Sequence, residues 1–119
     1  MPTLDQVISE ADFKSKIVAY AHDHGWLVFH PIRGSRDNRH YTAVQGDSGY
    51  PDLTMARGGK VVILELKRHQ RYPTSEQEQW LTALSGLEWE RSFVMYPDGN
   101  LIIGCVHPKD WQEIQQVLA

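Results

Sequence analysis

Hydrophobic and polar positions alternate most clearly over residues 50 to 67, which read Tyr-Pro-Asp-Leu-Thr-Met-Ala-Arg-Gly-Gly-Lys-Val-Val-Ile-Leu-Glu-Leu-Lys. Two short runs of β-branched and aliphatic residues flank Gly58-Gly59, and a Gly-Gly pair between such runs predicts a two-residue β-hairpin. With those glycines at the corner, Arg57 faces Lys60, Ala56 faces Val61, and Asp52 falls opposite Glu65. Side chains alternate along a strand, so Asp52, Thr54 and Ala56 share a face with Val61, Ile63, Glu65 and Lys67. Leu53, Met55, Val62, Leu64 and Leu66 take the other face, which is wholly apolar and predicts core.

The rest of the pattern is compatible with one mixed α/β domain. Ser9-Glu-Ala-Asp reads as a helix start, as does Thr3-Leu-Asp-Gln, and Phe13, Ile17, Val18 and Ala21 form a helical stripe that predicts a helix over residues 10 to 24, ending at Gly25. A short strand is predicted over residues 26 to 30. Residues 31 to 49 show no usable periodicity and predict a long polar loop, of the length that is usually functional or disordered. Thr74-x-x-Gln77 is a capping box opening a helix with Trp80, Leu81 and Leu84, which stops near Gly86. Residues 91 to 96 and 101 to 106 predict a second hairpin around the turn Pro97-Asp98-Gly99-Asn100. Pro108-Lys109-Asp110-Trp111 begins a last helix with Trp111, Ile114, Val117 and Leu118 as its apolar stripe. The expected architecture is a central sheet built from the strand near residue 28 and the two hairpins, with helices against it.

At 119 residues the chain suits a single domain able to bury a core without staples. Its one cysteine, Cys105, cannot form an internal disulfide, and its apolar neighbours Ile103 and Val106 predict a small core residue rather than a reactive thiol. No apolar run is long enough for a membrane helix and no signal peptide is evident, so a soluble, cytoplasmic protein without a membrane partner is expected. The net charge of −3 does not advertise nucleic acid. Distribution changes that picture, because Arg33, Arg36, Arg39 and His40 form one basic cluster and Lys67, Arg68, His69 and Arg71 another, both adjoining residues 50 to 67. The histidines show no shared helix face with metal-ligand spacing, so a zinc site is not expected.

The chemistry concentrates on the rung that Asp52 shares with Glu65. Directly opposed residues have Cβ atoms roughly 4.5 to 5.5 Å apart, and like charges so placed repel unless something positive lies between them. Asp and Glu oxygens in a small cluster are what Mg²⁺ takes, with waters left over for a substrate phosphate. Lys67, two residues after Glu65 on the same face, adds a positive charge, and acid, acid, lysine and metal suit phosphodiester hydrolysis. Taken singly, each carboxylate also fits a solvated strand face and the lysine a surface ion pair worth under about 1 kcal/mol. Their joint placement favours the site. Arginines of the 31 to 49 loop suit bidentate phosphate contacts, and equally a solvated loop.

Pro51-Asp52, a hairpin and then Glu65-Leu66-Lys67 resembles the PD-(D/E)XK nuclease signature. Further words follow in order: Ser9-Glu10 opening a helix, Gly25-Trp26 closing it, Gly49-Tyr50-Pro51-Asp52-Leu53, and Thr74-Ser75-Glu76-Gln77 ahead of Trp80-Leu81. Together they resemble the VRR-NUC branch, the virus-type replication-repair nucleases, in a stand-alone phage-like form. The resemblance implies a restriction-endonuclease-like fold and metal-dependent endonucleolytic cleavage of DNA. It implies that Glu10, Asp52 and Glu65, with the Leu66 carbonyl, hold Mg²⁺ or Mn²⁺, and that Lys67 and Gln77 act beside them. Glu10 also suits the first turn of its helix, where the dipole favours a carboxylate, and Gln77 suits its capping box without any catalytic role. Nucleic-acid contacts are expected from Arg33, Arg36, Arg39 and Arg68. The resemblance further implies a homodimer that cuts branched DNA such as four-way junctions. A duplex-cutting nuclease, or a non-catalytic binding module on the same scaffold, are the other readings. The second hairpin departs from the family pattern by supplying an extra strand before the final helix.

Overall fold

In the computed structural model, residues 3–31, 34–36, 39–41, 46–89 and 95–119 are described, with side chains described outside 32–45 and 96–98. Near the N-terminus α1 (Leu4–Val7) is a single turn, and α2 (Glu10–Asp23) follows. The Ser9 hydroxyl accepts from the Asp12 amide at 3.0 Å, so one orphan donor of the first turn is satisfied. Phe13, Ile17 and Ala21, spaced by four, bury the inner face of α2, and Gly25 at φ +82° releases the chain into β1 (Leu27–Phe29).

β4 (Leu53–Arg57) and β5 (Lys60–Leu66) form the predicted hairpin with the predicted register, from Arg57↔Lys60 to Leu53↔Leu64. Gly58 and Gly59 both take positive φ, +56° and +83°, the left-handed corners that a tight hairpin turn requires. α3 (Ser75–Ser85) then crosses over so that β7 (Leu101–Val106) pairs parallel with β5, and β6 (Met95–Asp98) flanks β7. The five-stranded sheet runs β1-β4-β5-β7-β6. It is the mixed α/β sheet flanked by helices that the sequence predicts, consistent with a restriction-endonuclease-like arrangement.

Three local expectations need correction. The 31 to 49 stretch holds a small antiparallel hairpin, β2 (Gly34–Arg36) with β3 (Arg39–Tyr41). Its polar strands carry no hydrophobic alternation, and their register rests on backbone pairing. The second main hairpin turns at Gly99 and Asn100, with Pro97 and Asp98 still in β6. The last helix starts with a 3₁₀ turn, Pro108–Asp110, before α4 (Trp111–Leu118).

Both faces of the sheet carry core at its central strands. Leu53, Met55, Val62, Leu64 and Leu66 pack with Phe13 and Ile17 of α2 and with Ile114 and Leu118 of α4. On the opposite face Ile63, Ile103 and Cys105 pack with Leu81 of α3 and with Trp89. β5 is therefore buried on both sides, which explains why Val62 to Leu66 is almost continuously apolar. Glu65 is the exception within that run.

Arg57 locks the periphery. Its guanidinium donates to the carbonyls of His24 (2.8 Å), Leu118 (3.2 Å) and Ala119 (3.0 Å), and lies 4.5 Å from the centre of the Trp26 ring. The ends of α2 and α4 thus share one cation at their negative dipole ends. Among the described residues no helix is long and apolar enough to cross a membrane.

Candidate active site

Asp52 stands just before β4, where the hairpin ladder has ended. Its carboxylate Oδ2 accepts from the Leu66 backbone amide at 2.9 Å. The expected rung is thus completed by a side chain rather than by strand pairing, and that bond brings the Asp52 carboxylate to the end of β5.

Glu65 lies within the sheet on the α3 side, in parallel register with Cys105, and is 1% exposed. Its Oε2 is 3.4 Å from the Lys67 ammonium. Its Oε1 is buried with no hydrogen-bond partner. Burial first, and then the charge of Asp52, push the Glu65 carboxyl up to about 8, with Lys67 opposing. The Asp52 and Glu65 carboxyl groups are within hydrogen-bonding reach, so a proton on Glu65 can be shared between them. Two ionised carboxylates offer each other only acceptors, and a buried acceptor left unsatisfied costs about 1–3 kcal/mol. The pair is stable as neighbours only with a proton or a cation. Cys105 is excluded as a thiolate nucleophile or metal ligand, because burial and the adjacent Glu65 charge push its thiol up to about 12. It is the inert core residue the sequence predicts.

Lys67 opens into a cleft of about 400 Å³, also lined by Glu10, Arg68, Arg71, Tyr72 and Thr74. Glu10 occupies the first turn of α2, exposed, on the wall of this cleft. The structure thus groups Asp52, Glu65 and Lys67 tightly, and brings Glu10 and Arg68 to the cleft that Lys67 enters. Among the described residues, no three His, Cys, Asp or Glu side chains converge as a metal-binding cluster. Leu66 is buried and contributes its amide to Asp52. Gln77 is 6% exposed, and its Oε1 accepts from the Thr74 amide at 2.8 Å, so the capping role is realised. Arg33 lies outside the described residues. Arg36 and Arg39 face each other across the β2–β3 pair, where only the backbone is described.

Two supports were not legible in the sequence. His107 Nε2 lies 2.6 Å from the Arg71 carbonyl, which can only accept, so this nitrogen carries the proton. Its Nδ1 is 3.8 Å from Asp110 Oδ2, and the Asp110 carboxylate, helped by the Arg71 carbonyl and opposed by burial, raises the imidazole above its ordinary 6.5. His107 therefore pins the tight turn closed by the Arg71 amide on the Arg68 carbonyl, where Gln70 adopts φ +61° without being glycine. Trp80 is the second support. Its indole donates to the carbonyls of Asp47 (3.3 Å) and Ser48 (3.1 Å), and its ring meets Tyr50 edge-on at 4.9 Å. The approach to Asp52 is thereby fastened to α3. The Thr74, Gln77, Trp80 spacing was the available signal, since it puts all three on one side of the helix.

No family model, curated protein or solved structure matches this chain.

Proposed function

We propose that the protein is a divalent-metal-dependent endonuclease that hydrolyses DNA phosphodiester bonds, acting as a homodimer on branched DNA such as four-way junctions. The observation that carries this reading is the orphaned Oε1 of Glu65, a buried acceptor beside a second carboxylate, on the group whose other oxygen, Oε2, lies 3.4 Å from the Lys67 ammonium. Such a donor set fits a hard cation. Asp52 and Glu65, with Glu10 and the Leu66 carbonyl, would hold Mg²⁺ or Mn²⁺. Bound there, the ion supplies Lewis acidity toward a phosphoryl oxygen and lowers the pKa of a water.

The chain's own residues do the remaining work. Lys67, held by Glu65, presents a fixed positive charge at the inner end of the cleft, where it stabilises charge building on phosphate. Arg68 and Arg71 bind flanking phosphates, and the His107 anchor keeps their turn from swinging away. Asp52 and Glu65 would hold such an ion as two ionised carboxylates, releasing the proton they share in its absence. A dimer offers two such sites, which suits paired nicks in a symmetric junction.

The test uses a labelled four-way junction and a linear duplex, each incubated with Mg²⁺, Mn²⁺ or EDTA. Metal-dependent cutting of the junction, abolished by Asp52→Ala and by Lys67→Ala in variants with unchanged circular dichroism, is the expected result. Turnover by either variant at the wild-type rate refutes the assignments, and equal cutting of both substrates points instead to a duplex-cutting enzyme. Junction binding with no cleavage in either metal would make the protein a binding module.

A further inference from the structure

A second hollow, of about 580 Å³, adjoins the basic cleft, and Thr74 belongs to the walls of both. The two flank the acid pair in the chain: Tyr50 in the second hollow is two residues before Asp52, and Lys67 in the first is two after Glu65. Their chemistries are opposite. The described lining of the second hollow contains no Lys, Arg or His, and its carboxylates are Asp47 and Glu76, both exposed. Those two carboxylates repel phosphate. With them stand Phe29, Pro31 and Tyr50, a largely apolar wall.

α3 covers β5 and β7 on this face of the sheet and leaves β1 bare, so Leu27 is 78% and Phe29 63% exposed. An exposed aromatic ring on an edge strand gains nothing from the fold. Tyr50, beside it in the same lining, is in contrast fixed in advance. Tyr50 hydrogen-bonds to Thr54 at 2.9 Å and packs on Trp80, and Thr54 is the register partner of Phe29. Gly49 presses its backbone against the first turn of α3, where a Cβ would stand 2.7 Å from the Glu76 carbonyl carbon and 2.9 Å from the Gln77 amide.

We infer that this hollow receives one unpaired nucleobase of the strand whose phosphates lie in the basic cleft, stacked on Phe29, with Asp47 and Glu76 accepting from its exocyclic amino group. The inference rests on DNA being the substrate. A nucleobase is the neutral, flat, donor-bearing part of a nucleotide, so it suits an apolar slot with an acidic rim, while the charged backbone suits Lys67, Arg68 and Arg71 next door. A base locked in a duplex cannot enter. The slot therefore selects DNA with an unpaired nucleotide beside the cut.

The test compares wild type with Phe29→Ala in EDTA, where binding is read without cleavage. The probe is a branched oligonucleotide with 2-aminopurine at an unpaired position next to the branch, together with the same DNA abasic at that position and a fully paired duplex. Wild type should quench 2-aminopurine, and Phe29→Ala should lose both the quenching and affinity for the unpaired-base probe, by roughly 5- to 100-fold for one stacked base. Affinity for the abasic probe and the duplex should stay within about twofold, and Phe29→Tyr should restore quenching. Equal affinity and equal quenching for wild type and Phe29→Ala overturn the inference. Cleavage of the same probes in Mg²⁺ is scored separately. Quenching without cleavage overturns the nuclease assignment and leaves the base slot standing, whereas cleavage without quenching does the reverse.

Discussion

Replacing Glu65 by glutamine changes the volume little and removes the only ionisable group inside the run Val62 to Leu66. In the unfolded chain Glu65 ionises with its ordinary 4.5, whereas in the fold its carboxyl is pushed up to about 8, by burial and then by Asp52. A carboxyl raised on folding contributes no penalty below 4.5, where it is protonated in both states. Stability is then lost as pH climbs from there through about 8, because only the unfolded chain ionises freely. At about 1.4 kcal/mol per pH decade, the loss between pH 5 and pH 8.5 is on the order of 4 kcal/mol. For a domain of this size that corresponds to roughly 10 to 15 °C in Tm. Glutamine avoids the loss and can donate to Asp52 while accepting from Lys67. The assay is urea unfolding in EDTA at pH 5, 6.5 and 8.5. Wild type should match Glu65→Gln near pH 5 and fall progressively below it toward pH 8.5. Added Mg²⁺ should recover wild type at pH 8.5 far more than at pH 5, and the variant at neither. Parallel pH curves for the two proteins would refute the reasoning.

Arg57→Ala should cost about 2–3 kcal/mol in urea unfolding, since it leaves three carbonyls at the ends of α2 and α4 without their charged donor. Gly49→Ala should destabilise by about 2–4 kcal/mol, because strain at φ +94° adds to the contact with Glu76, whereas Gly46→Ala, with open space around it, should show only the backbone cost of about 1 kcal/mol. His107→Phe should weaken junction binding several-fold by freeing the Arg68 to Arg71 turn. The stabilisation His107 provides is complete below 6.5 and lost as pH rises through its raised value. The His107→Phe variant should therefore differ most from wild type in unfolding measured at pH 6, and progressively less as pH rises.

Local signals carried much of the fold. Gly58-Gly59 set the register of the β4–β5 hairpin, the Ser9 and Thr74 caps placed the starts of α2 and α3, and the stripe of Ile114 and Leu118 gave α4 its buried face. What escaped is non-local. The parallel pairing of β5 with β7 depends on the α3 crossover, and no periodicity within either strand encodes it. The alternation assigned Asp52, Ile63 and Glu65 to the face away from the main core and could not show that α3 covers it. That cover turns Glu65 from a strand-face carboxylate into a buried one with an unsatisfied oxygen. The same limit hid the His107 anchor, since residues 71 and 107 meet only after the chain has crossed the sheet.

Calorimetric titration with Mn²⁺ at pH 7, in two buffers of different ionisation enthalpy, tests the acid pair most directly. With its carboxyl at about 8, Glu65 is mostly protonated at that pH, so binding should release close to one proton per site, and Glu65→Gln should release none. Absence of Mn²⁺ binding, or binding by wild type with no proton released, would contradict the account.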